Sequence, residues 1–368
     1  MRILAFGTYD AAKHPRVQVL VDGLRRHGHD VRELNRPLGL STADKVKALR
    51  DPRVLPLHAL RLGRRWASLV AGARRYTGRN RPQAVLVGYL GHFDVLLARV
   101  LFPRATIVLD HLIFAADTAR DRGTPAGLRT RLLGTLDDVA LRVADVVVVD
   151  TEEHRDLVPP RHRDRAVVVA VGATGSWFRA AQDAPERAAD QPLRVIFFGL
   201  FTPLQGTATV GRALRLLHER GVPVRATLVG TGQDADEVRG LVGDLPGISW
   251  HEWVDGADLP ALVAAHDVCL GIFGTTEKAQ RVVPNKVYQG IAAGCAVVTS
   301  DTPPQRRVLG ESALLVPAGD ADALAQALTT VAADPDRLTT LGTRARAWGT
   351  ERFTPEAVTV ALDRALRR

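Results

Sequence analysis

At 368 residues, 46% of them hydrophobic and 24% charged, the chain is globular in composition and longer than one typical hydrophobic core requires. We therefore expect two domains, and the absence of any run of about 18 uncharged apolar residues favours a cytoplasmic protein that does not span a membrane. The net charge of +9 suits nucleic acid, anionic lipid or a phosphorylated ligand, but no recognised nucleic-acid-binding module accompanies it.

The first half of the chain alternates short apolar runs with longer amphipathic stretches, which is the pattern of βαβ units around a parallel sheet. The predicted strands are Ile3–Phe6, Ala84–Val87, Thr106–Leu109 and Val146–Val149, with a helix at Val17–His27. These elements predict a Rossmann-like α/β domain over residues 1–175.

A polar loop follows the first predicted strand. Gly7 allows a close approach of the backbone to a ligand, and Asp10, Lys13, His14 and Arg16 offer acid, base and anion contacts. The spacing differs from the three-glycine dinucleotide fingerprint. We predict that this loop contacts a ligand, and the alternative is a plain connection between strand and helix.

A strongly cationic segment runs from residue 45 to residue 81, with Asp51 as its single acid and Trp66 among the cations. The cations are Lys45, Lys47, Arg50, Arg53, Arg61, Arg64, Arg65, Arg74, Arg75, Arg79 and Arg81. One interpretation is peripheral contact with an anionic membrane surface or an anionic acceptor. The other is an ordinary solvated helix in an arginine-rich chain.

The predicted strand Thr106–Leu109 ends in Asp110 and His111. A carboxylate and an imidazole at the carboxyl end of a parallel strand lie where ligands of such sheets bind. We therefore predict a functional role for both, with His111 hydrogen-bonding a sugar or positioning an acceptor hydroxyl.

The second half begins after a linker that we predict at residues 176–192, because the stretch from Gln182 to Pro192 is polar and proline-bounded. Strands are predicted at Arg194–Phe198, Arg225–Val229, Val268–Ile272, Ala296–Thr299 and Ala313–Val316, with helices such as Thr207–Arg220 and Ala321–Ala333 between them. They predict a second Rossmann-like domain over 193–350 and a terminal helix within 351–368, for which a return to the first domain is one option. Ligands of such sheets bind outside the carboxyl ends of the strands, so we expect the chemistry in a central cleft between the domains.

The stretch from Gly199 to Gly206 joins a strand to a helix through two glycines and includes Gln205. Its amides can hold a diphosphate at the positive end of the helix dipole, and the alternative is a simple left-handed turn. Gly230 ends another strand, and Trp253 can offer an aromatic face to a nucleobase. We assign these residues to the binding of a nucleoside diphosphate group.

The segment Pro284–Gly294 predicts a helix that starts at a proline and ends in small residues before a buried strand. Two cations, Arg281 and Lys286, meet its N-terminus, where the backbone amides also favour an anion. A pyrophosphate is the natural partner of this group. Asn285 and Gln289 belong to the same predicted site.

Cys269 and Cys295 each lie in an apolar strand-like run, which favours buried free cysteines over a disulfide or metal ligand. No metal-binding motif occurs in the sequence. We therefore predict neither a metal site nor a bound cofactor.

The order of these parts resembles the retaining glycosyltransferases of family 4, and the similarity covers nearly the whole chain. That family has the GT-B fold of two Rossmann-like domains and moves a sugar from a nucleotide donor onto an acceptor. The resemblance implies a glycine loop at Gly7, the family's strand-end histidine at His111 and a diphosphate loop at Gly199–Gly206. It also implies a ribose contact at Gln289 and a UDP- or GDP-linked donor held by the C-terminal domain.

The chain departs from the family pattern at charged positions. The family usually has an arginine and a lysine in the diphosphate loop, where this chain has Leu200 and Gln205. It usually has two glutamates with seven residues between them before the small-residue helix end, where this chain has Arg281 and Gln289. We predict that Arg281 and Lys286 supply the phosphate-binding charge instead.

The sequence thus predicts metal-independent sugar transfer to the hydroxyl of a small molecule or glycolipid, with Asp110, His111, Arg281 and Lys286 in catalytic roles. The resemblance implies retention by same-face attack, in which the leaving phosphate accepts the acceptor's proton. One alternative is a sugar-nucleotide epimerase of the same architecture, which the missing carboxylates disfavour. Another is a non-catalytic homologue that binds and stabilises a partner transferase.

Overall fold

The computed structural model describes residues 1–10, 15–39, 55–121, 127–184 and 191–368. The chain divides into two compact units, which are treated separately below. Unit 1 comprises Met1–Val149, Arg155–Val169 and Thr359–Arg368, and unit 2 comprises Asp150–His154 and Ala170–Val358.

Unit 1 contains a six-stranded parallel sheet with strand order β2-β1-β3-β4-β5-β6. The strands are β1 (Arg2–Gly7), β2 (Asp30–Asn35), β3 (Ala84–Val87), β4 (Thr106–Asp110), β5 (Val146–Val149) and β6 (Ala166–Val168). The helices in this part of the chain are α1 (Arg16–Arg26), α2 (Leu55–Ala73), α3 (Asp94–Leu101), α4 (Ala115–Asp121), α5 (Leu128–Val143), α6 (Glu152–Leu157) and α7 (Pro160–Arg163).

Unit 2 contains a second six-stranded parallel sheet, with order β12-β11-β10-β7-β8-β9. Its strands are β7 (Leu193–Phe198), β8 (Val224–Val229), β9 (Ile248–His251), β10 (Val268–Leu270), β11 (Ala296–Ser300) and β12 (Ala313–Val316). The remaining helices are α8 (Gly175–Ala180), α9 (Thr207–Glu219), α10 (Ala235–Val242), α11 (Leu259–Ala264), α12 (Asn285–Ala292), α13 (Pro303–Leu309), α14 (Ala321–Ala333), α15 (Pro335–Arg352) and α16 (Pro355–Leu366).

Each sheet is the centre of its own hydrophobic core. In unit 2, the core joins the central strands to α9, α10 and α14, as at Val210, Val238 and Leu328. In unit 1, it joins β1, β3 and β4 to α3 and α5, as at Val95 and Leu141. Strands that are buried on both faces read as continuous apolar runs, which is why the sequence revealed them.

The two parallel sheets with flanking helices confirm the predicted fold class. All nine predicted strands are present, with ends shifted by up to two residues. The sequence did not reveal β2, β6 and β9. β9 alternates half-buried with exposed residues, β2 has only two buried residues, and β6 is three residues long, so none forms a long apolar run.

The linker predicted at 176–192 does not begin as irregular chain. Helix α8 covers its start, and Trp177 is 4% exposed and stacks on Phe198 with ring centroids 5.9 Å apart. Residues 185–190 of the predicted linker lie outside the described residues. An aromatic anchor therefore ties the start of this segment to the core of unit 2.

The unit boundaries also differ from the predicted division at residue 175. Asp150–His154 belongs to unit 2, where the Thr151 hydroxyl donates to the Arg281 carbonyl at 2.8 Å. The end of α16 belongs to unit 1, where Asp363 bonds His29 Nε2 at 2.7 Å. No helix in the described ranges has the length and apolar content needed to cross a bilayer.

Candidate functional site

In each sheet, the strand order reverses at one point, and parallel α/β sheets bind ligands beside this point at the carboxyl ends of the strands. In unit 2 the reversal lies between β7 and β10. The segment after β7 contains Gly199–Gly206, and the segment after β10 contains Arg281 and Lys286. Two stretches that the sequence selected separately therefore flank one edge of one sheet.

The glycine loop packs too closely to accept side chains at its glycines. Gly199 has φ +135°, and Gly206, at the start of α9, has φ +63°. A Cβ atom on Gly206 would lie 2.3 Å from the Phe273 carbonyl carbon, and one on Gly230 would lie 1.9 Å from the Gly199 oxygen. These contacts exclude a side chain at Gly206 and Gly230, and the positive φ favours glycine at Gly199.

Lys286 occupies the first turn of α12 and is 4% exposed. Its Nζ has no hydrogen-bond partner among the described residues and lies 3.5 Å from the centroid of the Phe197 ring. A Cβ atom on Gly199 would lie 3.2 Å from this amine, so the loop backbone is its immediate neighbour. The first turn of α12 contains no acidic residue. The amine thus lacks both a hydrogen-bond acceptor and an acid in the same helical turn.

Burial holds the pKa of Lys286 well below its ordinary value. The helix N-terminus beside the amine carries a partial positive charge, which also disfavours a cation there. A bound anion would supply the missing counter-charge and hydrogen-bond acceptors. The environment therefore favours an anionic ligand at this amine.

Further buried polar atoms at the same edge lack hydrogen-bond partners in the described part of the chain. They are Gln205 Oε1 in the glycine loop, Thr207 Oγ1 at the start of α9 and Thr302 Oγ1 after β11. Buried polar atoms are normally paired, because leaving one unpaired costs about 1–3 kcal/mol. A polar ligand with both donors and acceptors would satisfy this set.

The other residues predicted to bind the donor occupy different environments. Arg281 is half-buried, with Nη1 3.6 Å from Glu277 Oε2, and Asn285 is half-buried at the start of α12. Gln289 is buried one turn after Lys286. Trp253 is 70% exposed, and its Nε1 donates to Asp255. The structure therefore brings the predicted cations and the glycine loop to one edge and leaves the Trp253 ring accessible.

In unit 1, Gly7 ends β1 with φ +148° and faces a carboxylate that the sequence analysis did not identify. Asp94 Oδ2 would lie 3.0 Å from a Cβ atom on Gly7, and it accepts bonds from the Thr8 amide at 2.7 Å and the Thr8 hydroxyl at 2.8 Å. Asp94 Oδ1 accepts from Trp66 Nε1 at 2.8 Å. Asp10 is half-buried near this turn, whereas Lys13 and His14 lie outside the described residues.

Arg16 and Asp110, which the sequence placed among ligand-binding and catalytic residues, pair with each other. Arg16 Nε donates to Asp110 Oδ1 at 2.8 Å, and Arg16 Nη2 donates to the Val169 carbonyl at 2.9 Å. Both residues are 1% exposed. The pair joins the start of α1 to the end of β4 and keeps both charges away from the surface.

His111 lies in a buried polar cluster with His92 and Asp137. His92 Nε2 bonds Asp137 Oδ1 at 2.9 Å, and His111 Nε2 is 3.9 Å from the same oxygen. Asp137 also accepts from the backbone amides of Ala115 and Ala116, at the start of α4. Burial alone would raise the pKa of Asp137, but these hydrogen bonds hold that pKa below its ordinary value. Asp137 is thus a carboxylate that faces two imidazoles.

Among the described residues, His92, His111 and Asp137 form the one group whose ligand atoms, all within 4.8 Å of one another, could hold a metal ion. The sequence analysis predicted no metal site and did not identify His92 or Asp137. A search of loop and helix starts after each strand, rather than of strand ends alone, would have selected His92 and Asp94. Asp137 lies in the middle of α5, where no sequence signal distinguishes it.

The two cysteines are free and buried, as predicted. Burial raises the pKa of Cys269 to about 12, and it raises the pKa of Cys295 as well. Both side chains are therefore thiols that pack in the interior of unit 2.

Comparison with known proteins assigns the central part of unit 2 to a family. Residues 192–334 match the glycosyl transferases group 1 family. Over 145 residues, 38% of this chain, the sequence is 37% identical to a phosphatidyl-myo-inositol mannosyltransferase of Mycolicibacterium smegmatis, and the match spans 36% of that relative's length. The similarity to group 1 glycosyl transferases thus concerns residues 192–334 of unit 2.

Solved structures share the fold of the whole chain. Sucrose-phosphate synthase from Thermosynechococcus elongatus aligns with a TM-score of 0.69 at 18% identity, over 100% of this chain and 98% of that one. HepE of Anabaena, in complex with UDP-glucose, aligns with a TM-score of 0.67 at 15% identity, also over 100% and 98%. At these identities the likeness concerns the fold alone, and it agrees with the predicted architecture.

Proposed function

We propose that this protein is a glycosyltransferase that takes a sugar from a nucleotide-sugar donor, and that unit 2 binds the diphosphate of that donor beside Lys286. The observation that carries this assignment is the buried amine of Lys286, which has no hydrogen-bond partner among the described residues. It lies between a glycine loop and a helix N-terminus, both of which suit a phosphate group.

The chemistry of transfer explains why such an amine is useful. Breaking the bond between the sugar's anomeric carbon and the phosphate oxygen leaves negative charge on the diphosphate. Lys286, Arg281 and the amides at the start of α9 and α12 stabilise that charge as it develops. Charge-assisted hydrogen bonds are worth about 1.5–3 kcal/mol each, so two cations supply a substantial part of the stabilisation without a metal ion.

The donor is a uridine or guanosine diphosphate sugar in this account. Supporting a uridine nucleotide, a protein of the same fold was solved in complex with UDP-glucose. Gln289, one turn after Lys286, provides the hydrogen bond to a ribose hydroxyl, and the exposed Trp253 provides a face for the base. Because Arg281 and Gln289 stand where the family usually has glutamates, the contacts of these two side chains are the ones to test.

We assign acceptor binding to unit 1, with a small molecule or the headgroup of a glycolipid as the acceptor. His111 orients the transferred sugar, because Asp137 beside it favours an imidazole with a fixed orientation. Retention follows if the acceptor hydroxyl attacks from the face that the diphosphate leaves. The acceptor's proton then passes to the departing phosphate oxygen, so no side-chain nucleophile is required.

Thermal unfolding in the presence of UDP-, GDP-, ADP- and TDP-sugars, and of the free nucleotides, tests this function. A ligand at about a hundred times its Kd stabilises the folded state by about 2.7 kcal/mol. We expect one base to raise the Tm selectively, and Lys286→Met to reduce the rise to about half or less. Lys278→Met, which removes a half-buried cation from the same segment, is the matched control and should retain the rise.

The nucleotide that raises the Tm should then be tested in its sugar-linked form for sugar transfer. The labelled nucleotide sugar is incubated with candidate acceptors, and release of the nucleoside diphosphate is measured. No Tm rise with any nucleotide would contradict the proposed function. An equal loss of the rise in Lys278→Met and Lys286→Met would show that the Lys286 amine is not the specific phosphate contact.

A further inference from the structure

We propose that a cavity in unit 1, lined by Leu38, Gly39, Arg61, Arg64 and Arg65, binds a phosphate group carried by the acceptor. This inference rests on the proposed function, because it identifies the chemical class of the acceptor. The cavity has a volume of about 470 Å³, which lies within the range of small-molecule sites.

The three arginines share one side of α2. They are spaced i, i+3 and i+4 along the helix, so their side chains project in neighbouring directions. All three are exposed. A guanidinium presents several donors in a planar fork that matches phosphate oxygens, and three such groups around one cavity suit a phosphate better than a single carboxylate.

Both segments that line the cavity are anchored to unit 1. On α2, Trp66 Nε1 donates to Asp94, and Leu69 is fully buried. After β2, the Leu38 amide donates to the Thr8 carbonyl at 3.1 Å. The cavity therefore lies beside the turn after β1, at the edge of the sheet where ligands of this fold class bind.

The described residues do not neutralise the local charge. In the part of the chain that the structure describes, no carboxylate pairs with Arg61, Arg64 or Arg65. Asp94, a buried carboxylate that Trp66 of α2 contacts, already accepts three hydrogen bonds. Three uncompensated cations around one concave site attract a dianion strongly, and phosphate monoesters carry that charge near neutral pH.

The phosphate could belong to a water-soluble sugar or polyol phosphate or to a phospholipid headgroup. Leu57 and Leu60 precede the arginines at helical spacing and are 50% and 56% exposed. At a lipid surface, exposed leucines insert toward the acyl chains while neighbouring arginines contact the headgroup phosphates. The recognition chemistry is the same in both cases, so the experiment has an arm for each source.

Isothermal titration calorimetry with glycerol 3-phosphate, with glycerol as the ligand control, tests the soluble source. Saturating UDP is present so that the donor site of unit 2 does not compete for phosphate. Sedimentation with phosphatidylcholine vesicles, with and without phosphatidic acid, tests the lipid source. Both arms use the full chain and compare Arg61→Gln, Arg64→Gln and Arg65→Gln with Arg74→Gln. Arg74 is an exposed arginine that follows α2 and does not line the cavity.

We expect each cavity variant to weaken binding of one phosphate probe by about ten- to a hundred-fold, and Arg74→Gln to weaken it less than about twofold. Selective binding of glycerol 3-phosphate supports a soluble acceptor, and selective binding of the phosphatidic acid vesicles supports a lipid one. Binding of neither probe, or equal losses in Arg74→Gln and the cavity variants, overturns the inference. UDP binding in the same samples separates the two outcomes: if UDP still binds, only the acceptor inference fails.

Discussion

The reversal points of the two sheets place a glycine opposite a charged side chain in both units, but the charges are treated in opposite ways. In unit 1, Gly7 at the end of β1 faces Asp94, the first residue of the helix after β3. In unit 2, Gly199 after β7 faces Lys286, in the first turn of the helix after β10. Both side chains are 4% exposed.

Asp94 accepts three hydrogen bonds, and a carboxylate at a helix N-terminus is favoured by the helix dipole. The Lys286 amine has no hydrogen-bond partner among the described residues. Lys286 also lies at the N-terminus of its helix, where the helix dipole disfavours a positive charge. The comparison teaches that a buried charged group with hydrogen-bond partners inside the protein, such as Asp94, contributes to stability. We interpret a buried group without such partners, such as the Lys286 amine, as a binding group for a ligand.

Removing the satisfied charge should have the largest effect. Asp94→Ala leaves three donors without an acceptor and is expected to lower the free energy of unfolding by about 3–5 kcal/mol. Denaturant unfolding measures this, with Asp236→Ala as the control, because Asp236 is an exposed acid in the first turn of α10. The control should change the free energy by less than about 1 kcal/mol. Similar losses of free energy in Asp94→Ala and Asp236→Ala would contradict a stabilising role for the hydrogen bonds to Asp94.

Removing the unsatisfied charge should leave the fold intact and affect binding instead. Lys286→Met is expected to keep or slightly raise the free energy of unfolding, because replacing a buried charge by a hydrophobic side chain is often neutral or stabilising. The affinity for the selected nucleotide should fall by about ten- to a hundred-fold. Calorimetry and denaturant unfolding on the same sample check both. A large loss of stability would mean that Lys286 is structural after all.

Wild-type protein and Lys286→Met should also differ in how their free energy of unfolding depends on pH. Since the pKa of Lys286 is lowered in the folded protein, the unfolded chain binds more protons between that lowered pKa and about 10.4. Wild-type stability should therefore rise with pH through this window relative to Lys286→Met, which has no amine to titrate. Unfolding at several values between about pH 7 and 10 measures the difference. A wild-type free energy of unfolding that stays constant or falls relative to that of Lys286→Met across this range contradicts a lowered pKa for the Lys286 amine.

The smallest expected effect concerns the second cation. Arg281 is 20% exposed and already has an ion-pair partner in Glu277, so it has less to gain from a ligand than Lys286. Arg281→Gln should weaken nucleotide binding by about two- to fivefold. Titration beside Lys286→Met establishes the order. If Arg281→Gln has the larger effect, the phosphate is centred on Arg281 and not on the buried amine.

The sequence predicted features that depend on neighbouring residues and missed those that depend on residues far away in the chain. Apolar runs such as Ala84–Val87 were visible because both faces of a central strand are buried, whereas β2 has exposed residues on both faces and was missed. Lys286 was selected from its position at a helix start. Its burial was not predicted, because that depends on Phe197, far away in the sequence.

The same reasoning explains the unit 1 site. Asp110 and Arg16 stood out singly at a strand end and a loop, yet they bind each other across 94 residues of sequence. Asp94 was missed because its donors, Thr8 and Trp66, come from two separate segments. The roles of Asp10 and Trp253 as ligand contacts stay predictions, as do those of Lys13 and His14 outside the described residues.

The central claim is that the Lys286 amine is held ready for an anion, and NMR of lysine labelled with carbon-13 at Cε tests it most directly. The chain has five lysines, so the spectrum is simple, and Lys286→Met assigns the signal. We predict that Lys286 titrates well below the other lysines in the free protein and that its pKa rises when the selected nucleotide binds. A Lys286 signal that titrates with the others and does not respond to any nucleotide would contradict the account.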